Sequence, residues 1–131
     1  MSGGKIKRIE TENAAKPLGH YSQAIRYNDI VYVSGQLPID PQRPDSKVED
    51  VKEQARLALE NLKQIVLAAN SDLNHVLKVT IFLADLSIWP AVNEVYSEFF
   101  KDHKPARSAV PTNGIPKGFA LEIEAVAAVK S

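Results

Sequence analysis

Two acidic residues near the carboxyl end of the chain, Glu122 and Glu124, alternate with apolar residues. In a β-strand, residues two apart lie on one face, about 7 Å from each other. The spacing therefore predicts a strand with both carboxylates on one face. Such a face is either a solvated surface with salt bridges or a place for proton transfer. Carboxylate pairs also hydrolyse sugars, but two neighbours on one strand do not flank a substrate bond.

A single arginine, Arg107, follows Pro105 and Ala106 at the beginning of another short predicted strand. An arginine in such a position is more often a surface residue than a ligand anchor. The glutamates and the arginine are therefore candidates whose chemistry their spacing alone does not assign.

Several other kinds of site are not expected. The chain has no cysteine, which excludes disulfide scaffolds, thiolate zinc sites and cysteine nucleophiles. Its three histidines, His20, His75 and His103, show no two-ligand spacing, so we expect no metal site. Residues 34–36 (SGQ) lack the lysine and the spacing of a phosphate-binding loop, so we expect no nucleotide site.

Composition and charge bound the class of protein. The chain has 131 residues, 44% of them hydrophobic, which is enough for one domain over residues 1–131 with a packed core. Its 16 basic residues balance 16 acidic ones, so nucleic acid is not an expected partner. The longest apolar runs, residues 65–69 and 125–129, are far shorter than the roughly 20 residues that span a bilayer. With no recognisable secretory signal, we expect a soluble cytoplasmic protein without a membrane partner, an organelle being the alternative.

Two helices are predicted from the spacing of apolar residues. From residue 48 to residue 70, apolar side chains recur every three or four positions and define one helical face. Asp50 is placed to favour the start of this helix. A second helix is predicted to begin near Ser87 and Pro90. It should end before residues 104–105, because a residue that precedes proline disfavours the helical conformation.

Runs rich in β-branched and aromatic residues predict the strands. The strong runs are residues 30–33, 76–83, 106–110 and 119–129, and the weaker ones are residues 5–10 and 23–27. Asn28 and Asp29 suit a tight turn between two of these strands. Because each helix connects two strands, right-handed crossovers make the connected strands parallel. The sequence therefore predicts an α/β (α+β) domain, a mixed sheet with both helices on one face.

The strands are predicted to be apolar on both faces. Residues 30–33 alternate in this way, and so do residues 76–83. In the latter strand the predicted faces carry Leu77, Val79 and Ile81 on one side and Val76 and Phe82 on the other. Two helices cover one face, and no part of the chain remains for the second. We therefore predict self-association through the sheet, with any site on that face lying between copies of the chain.

Six short motifs occur in order along almost the whole chain. They are TENA at 11–14, GHYSQA at 19–24, VSGQLP at 33–38, VNEVY at 92–96, PARS at 105–108 and LEIEA at 121–125. With these motifs the sequence resembles the RidA (YjgF) family of imine and enamine deaminases. One such motif would be weak evidence, whereas several in register are specific.

The resemblance implies a fold, an assembly and a reaction. The fold is a chorismate-mutase-like single domain that assembles as a homotrimer, with sites in the clefts between subunits. The reaction is the hydrolysis of reactive imines and enamines, such as 2-iminopropanoate and 2-iminobutanoate, to 2-oxo acids and ammonia. No cofactor is implied.

The resemblance also assigns two catalytic residues. Arg107 corresponds to the arginine that holds the substrate carboxylate. A planar guanidinium suits this task because two hydrogen bonds form at once, a geometry that lysine lacks. Glu122, rather than Glu124, corresponds to the acidic residue that orients or activates the attacking water. Burial beside the strand would raise its affinity for protons.

Further substrate-binding positions are implied in the same way. In addition to Arg107 they are Tyr21, Ser34, Gly35, Asn93 and Ala109. Each also has a structural interpretation. Gly35 would permit a bulge or a close backbone approach, and Ser34 would be a hydroxyl at a strand end. Tyr21 would be a core aromatic with its hydroxyl at the surface, and Asn93 a polar residue on the margin of the second helix.

Three positions depart from the family pattern. His20 stands where many members have proline, Ala109 where many have cysteine, and Pro111 where an acidic residue is common. The backbone N–H of Ala109 can still meet a carboxylate. The departures leave the range of substrates open.

Two other functions are compatible with the resemblance. Some relatives are described as ribonucleases or translation inhibitors, but neutral net charge and the absence of paired histidines argue against efficient RNA cleavage. A non-catalytic trimer that binds small carboxylates is the remaining alternative.

Overall fold

The computed structural model describes residues 4–131, so residues 1–3 of the expected domain lie outside the described part. The strands are β1 (Ile6–Ile9), β2 (Ala24–Tyr27), β3 (Ile30–Gln36), β4 (Val76–Leu83), β5 (Ala106–Pro111) and β6 (Leu121–Ala128). The helices are α1 (Val51–Ala68), between β3 and β4, and α2 (Trp89–Phe100), between β4 and β5. All predicted elements are present, with boundaries shifted by up to about three residues, and the mixed α+β class is confirmed.

Helix α1 begins three residues after the start of its predicted span and ends two residues before the end of that span. The carboxylate of Asp50 accepts a hydrogen bond from the backbone N–H of Glu53 and so caps the first turn. After the last turn, Asn70 adopts a left-handed conformation with φ of 61°, which ends the helix. One face of the helix is buried along its length, at Ala55, Ala58, Leu59, Leu62, Ile65 and Val66.

Helix α2 has proline in its first turn, where the missing N–H leaves no hydrogen bond unmade. Its end comes at Phe100, several residues before the Lys104–Pro105 pair. There Lys101 turns the chain with a positive φ of 59°. The helix is therefore shorter than the proline alone requires.

The sheet is mixed, with strand order β1-β2-β3-β6-β4-β5. Strands β4 and β5 are parallel neighbours, as the crossover through α2 predicts. Strands β3 and β4 both pair antiparallel to β6, so they run in the same direction with β6 between them. The order places β6, with Glu122, inside the sheet and β5, with Arg107, at its edge.

The main core lies between one face of the sheet and the two helices. Leu59 and Leu62 of α1, Val92 of α2, and Val79 and Ile123 of the sheet are all fully buried in it. Both helices therefore cover the same face, as predicted. We call this the helix side of the sheet and the opposite face the outer side.

The outer side is partly covered by the chain itself, which corrects a prediction. Phe82 of β4 packs there against a second apolar cluster from the loops, namely Ala15, Leu37, Ile39, Ile115 and Phe119. The expectation that no part of the chain remained for this face was wrong, because these loop residues pack on it. Elsewhere the outer side is open, since Tyr27 and Tyr32 are exposed.

A β-bulge in β4 corrects a second prediction. Val76 pairs with Ala127 and Lys78 with Val126, so Leu77 is an additional residue between two paired ones. The bulge directs Val76 into the core, where it is 1% exposed, and leaves Leu77 46% exposed. The predicted faces of Val76 and Leu77 were therefore wrong, because strict alternation does not survive a bulge.

Candidate active site

A bulge in β3 brings its backbone against Glu122. The register between β3 and β6 shifts between Val33 and Gln36, so Ser34 and Gly35 form the bulge. A β-carbon added to Gly35 would lie 2.8 Å from Cδ and 3.0 Å from Cγ of Glu122. The φ of Gly35 is not positive, so glycine is needed there for close approach and not for its backbone conformation. Both structural roles predicted for Gly35 are confirmed.

Glu122 lies on the outer side of the sheet, where it pairs across strands with Phe82. Its neighbours Leu121 and Ile123 are fully buried on the helix side, so the predicted alternation of β6 is confirmed. Partial burial raises the pKa of Glu122 above the ordinary carboxylate range, and the negative charge of Glu124 adds to the rise. A carboxylate of raised proton affinity is better able to accept a proton from water.

The loop before β2 lies beside Gly35. Ser34 holds this loop, because its backbone N–H donates to the carbonyl of Gln23 (2.9 Å) and its hydroxyl to that of Ser22 (2.6 Å). Tyr21 and Gly35 line one narrow crevice. The Tyr21 hydroxyl accepts a hydrogen bond from the loop backbone, and the side chain is exposed, so the expectation of a core aromatic was wrong.

Two buried amides fix this loop and the segment after β3. Gln23 makes three hydrogen bonds to the backbone of residues 11–15. Asn61 of α1 accepts from the N–H of Ala15 and donates to two carbonyls within residues 37–39. Neither amide could be identified from the sequence, since the residues that they contact are far away along the chain. Asn61 therefore ties the outer-side loops to helix α1, and Gln23 ties residues 11–15 to the loop before β2.

Arg107 lies on the helix side of edge strand β5, in register with the buried Val79. Its guanidinium carbon is 4.6 Å from the ring centroid of Trp89 and 4.8 Å from that of Tyr96. Its Nη1 donates a hydrogen bond of 2.8 Å to Oδ1 of Asn93. All three contacting side chains are neutral.

The charge of Arg107 is not neutralised by the described chain. Within residues 4–131 no carboxylate forms an ion pair with it, and neither Nε nor Nη2 donates a hydrogen bond. These two nitrogens form one edge of the planar group, which matches the two oxygens of a carboxylate. The arginine is therefore arranged to bind an anion from outside the chain.

The three side chains that contact Arg107 share one side of α2. Trp89, Asn93 and Tyr96 follow each other at intervals of four and three residues. Asn93 was predicted to bind substrate, whereas Trp89 and Tyr96 were not identified, although their helical spacing was visible. Tyr96 is buried, its hydroxyl has no partner among residues 4–131, and burial raises its pKa to about 12.

The predicted site residues therefore form two clusters. The Glu122 cluster, on the outer side and its adjoining loop, contains Tyr21, Ser34, Gly35 and Glu122. The Arg107 cluster, on the helix side, contains Asn93, Arg107 and Ala109, the last of which packs against the main core. One copy of the chain does not join its own Arg107 to its own Glu122, because the sheet lies between them.

The remaining candidate residues have separate surroundings. His20 is exposed and lines, with Tyr21, an open groove of about 760 Å³. Pro111 is exposed at the end of β5. His75 contacts the carboxylate of Asp72, and His103 contacts a backbone carbonyl of β4.

Neither a metal-binding cluster nor a membrane-spanning helix occurs in the described part of the chain. Residues 4–131 contain no group of three or more histidine, aspartate or glutamate side chains that could hold a metal ion. No helix in the same range combines the length and the apolar character needed to cross a membrane.

The fold and the two clusters define a small mixed α+β protein. An arginine without an acidic partner in residues 4–131 and a partly buried glutamate lie on opposite sides of its sheet. A family model described as Endoribonuclease L-PSP matches residues 11–129. A RutC family protein of Pyrococcus horikoshii is 48% identical over 91% of this chain and 94% of its own. An Escherichia coli K12 protein named "Putative reactive intermediate deaminase TdcF" is 43% identical over 92% of this chain and 95% of its own.

Solved structures of similar proteins have nearly the same fold as this chain. The structure of E. coli TdcF with bound serine has a TM-score of 0.89 at 42% identity, covering 95% of this chain and 99% of that one. The structure of the E. coli YjgF gene product has a TM-score of 0.90 at 38% identity, with 95% and 99% covered. The chain therefore belongs to the RidA (YjgF) family, as its motifs predicted.

Proposed function

We propose that the protein hydrolyses reactive 2-imino acids, such as 2-iminopropanoate and 2-iminobutanoate, to 2-oxo acids and ammonia, at sites formed between copies of the chain. The observation that supports the proposal most directly is the set of contacts that surrounds the guanidinium of Arg107. Its guanidinium is held by neutral groups and keeps an edge of two N–H donors without a carboxylate partner in residues 4–131. A 2-imino acid has a carboxylate of the right shape next to its reactive carbon.

Glu122 supplies the second half of the chemistry. In the proposed reaction it takes a proton from a water molecule as the water oxygen bonds to the imine carbon. The proton then passes to the imine nitrogen, which gives a carbinolamine. The carbinolamine hydroxyl gives its own proton to the nitrogen as the carbon–nitrogen bond breaks, so ammonia leaves and the 2-oxo group forms. Water is the only co-reactant, so the atoms balance without a redox partner. The raised pKa of Glu122 brings its proton affinity closer to that of the groups it must serve.

An assembly is part of the proposal because of where the two clusters lie. A site that contains both Arg107 and Glu122 needs the helix-side edge of one copy and the outer side of another. The exposed Tyr27 and Tyr32 provide apolar surface for such an interface. Joining unlike surfaces in this way gives a closed ring when the rotation between neighbouring copies closes, and an open filament otherwise. The family resemblance implies three copies.

The same ring would complete the binding pocket. Tyr21, Ser34 and Gly35 would come with Glu122 from one copy, and Asn93 and Ala109 with Arg107 from the next. The relative TdcF supports a small carboxylate ligand, since its solved structure contains bound serine, and its name includes reactive intermediate deaminase.

A coupled assay tests the proposed function. A pyridoxal-phosphate enzyme that releases 2-iminopropanoate generates the substrate in place, and the rates of 2-oxo acid and ammonia formation are followed. The wild-type protein is expected to accelerate both. Arg107→Ala should abolish the gain, and Glu122→Ala should reduce it by about 10² to 10⁴. Full activity in Arg107→Ala would refute the assignment.

Two other outcomes separate the alternative functions. Binding of 2-oxobutanoate without acceleration of imine hydrolysis would favour a non-catalytic carboxylate-binding trimer. The family model that matches the chain is described as Endoribonuclease L-PSP, so RNA cleavage is the second alternative function. RNA cleavage that persists through repurification, is lost in Arg107→Ala and weakens steeply with added salt would favour that activity.

A further inference from the structure

The guanidinium of Arg107 contacts two aromatic rings of one helix. The distances of 4.6 Å to the ring centroid of Trp89 and 4.8 Å to that of Tyr96 are within the range of cation–π attraction. The two rings are seven residues apart, which is two helical turns, so α2 presents both toward β5. Asn93, between them, accepts the hydrogen bond from Nη1.

This arrangement addresses a difficulty of placing a ligand-binding arginine on an edge strand. Arg107 is exposed, and a long exposed side chain occupies many rotamers that binding must reduce to one. Ring contacts restrict those rotamers before a ligand arrives. Because the rings are neutral, they leave the positive charge available, which an acidic partner would not.

We propose that Trp89 is a positioning residue for Arg107. Trp89 and Tyr96 form an aromatic clamp that fixes the guanidinium with its Nε–Nη2 edge open to the carboxylate of a 2-imino or 2-oxo acid. The inference rests on the carboxylate site of the proposed function. It adds to that function a residue that holds the arginine without itself contacting the reacting atoms.

Packing is the competing role for Trp89, because its ring is partly buried against the main core. The variants are therefore chosen as a matched set. Trp89→Leu removes the ring, and Trp89→Phe keeps a smaller one. Phe99→Leu removes another partly buried aromatic of α2, one that contacts Phe100 at a ring centroid distance of 5.8 Å.

Fluorescence gives a direct readout, since Trp89 is the one tryptophan in the sequence. Arg107→Met in the absence of ligand should shift its emission, because a positive charge leaves the indole face. Titration of the wild type with 2-oxobutanoate should change the emission as the carboxylate binds the stacked guanidinium. Calorimetry of the same titration gives the dissociation constant independently.

The aromatic clamp predicts a graded effect on affinity. Trp89→Leu should weaken 2-oxobutanoate binding by about two- to five-fold, the size of an exposed cation–π contact. Trp89→Phe should lie between this variant and the wild type, and Phe99→Leu should bind as the wild type does. Equal losses in Trp89→Leu and Phe99→Leu would assign the effect to packing and overturn the inference.

The two proposals fail in different ways. If Arg107→Met leaves the emission unchanged, the stacking is absent and the aromatic clamp is refuted, whatever the enzyme does. If Arg107→Met shifts the emission but binds 2-oxobutanoate like the wild type, the carboxylate site of the proposed function is refuted. A shifted emission with lost binding and a graded tryptophan series supports both.

Discussion

The side chain of Glu122 lies directly on the backbone of Gly35. A β-carbon at position 35 would be 2.8 Å from its Cδ and 3.0 Å from its Cγ. The nearest atoms belong to a flexible side chain and not to backbone, so an added methyl group should displace the carboxyl group and leave the fold intact. Gly35→Ala is therefore expected to lower imine hydrolysis at least ten-fold, with a loss of less than about 1 kcal/mol in the free energy of unfolding.

The control for this prediction is a double-mutant cycle in the stability measurement. In a Glu122→Ala background the displaced group is absent, so Gly35→Ala should cost less stability than it does in the wild type. Unfolding by denaturant gives the four free energies, and the coupled assay gives the activities. Equal costs in the two backgrounds would show that the methyl group acts elsewhere.

The pH dependence of activity follows from the pKa of Glu122. Partial burial first, and the charge of Glu124 second, raise that pKa above the ordinary carboxylate range. As a base Glu122 works when deprotonated, so the acid-side loss of kcat/KM should begin at a pH above that range. Glu124→Gln removes the like charge and should move this loss to lower pH while activity is retained. An unmoved profile in Glu124→Gln would contradict the assignment.

The stability of the folded state should also depend on the protonation of Glu122. It is favoured by the protonated form, whereas activity requires the deprotonated form. Because the folded pKa of Glu122 is raised, the folded state holds its proton more tightly than the unfolded chain does. Stability is therefore lost as pH rises from the ordinary carboxylate range through the folded pKa. Glu122→Gln cannot ionise, so it should become more stable relative to the wild type above this window. Denaturant unfolding over a pH series measures the difference.

The regular elements could be predicted from the sequence, whereas of the two bulges only the one at Gly35 was predicted. Apolar periodicity placed both helices, runs of β-branched and aromatic residues placed the six strands, and Asp50 was recognised near a helix start. The bulge in β4, in contrast, depends on the pairing register of two strands. The regular apolar pattern of residues 76–83 therefore did not indicate that Leu77 faces outward.

In the candidate site, too, some features could be predicted from the sequence and others could not. Arg107 and Glu122 were selected by motifs that resemble a family, because their spacing alone fits an ordinary surface. The contacts of Trp89 and Tyr96 with Arg107 join a helix to an edge strand, and such pairing between distant elements has no local signal. The separation of the two clusters by the sheet likewise depends on the strand order.

The burial of the Tyr96 hydroxyl predicts how the stability of the protein changes at alkaline pH. Burial raises its pKa to about 12, and its hydroxyl has no partner among residues 4–131. The folded state therefore keeps the proton that an unfolded tyrosine loses, and stability falls as pH rises from about 10 toward about 12. Tyr96→Phe should match or exceed the wild type at neutral pH, since it removes an unpaired polar group, and should lack this alkaline contribution. A Tyr96→Phe protein that loses more than about 1 kcal/mol at pH 7 would indicate a hidden partner for the hydroxyl.

Sites formed between copies predict complementation between inactive variants. Arg107→Ala keeps an intact Glu122 cluster, and Glu122→Ala keeps an intact Arg107 cluster. When the two variants are unfolded and refolded together in equal amounts, each ring assembles from them at random. About one site in four then joins an intact arginine to an intact glutamate, so roughly a quarter of wild-type activity should return. Each variant refolded alone should remain inactive.

The reverse mixture distinguishes this geometry from a site within one chain. When wild type is refolded with an equal amount of the Arg107→Ala, Glu122→Ala double variant, a site between copies needs two wild-type neighbours. Activity per wild-type chain should then fall to about half, whereas a site within one chain would keep it unchanged. A recovered quarter in the first mixture together with a halved value in the second is possible only if Arg107 and Glu122 act from different copies. Sedimentation equilibrium of each mixture confirms that the chains have assembled, since a monomer at micromolar concentration could produce neither result.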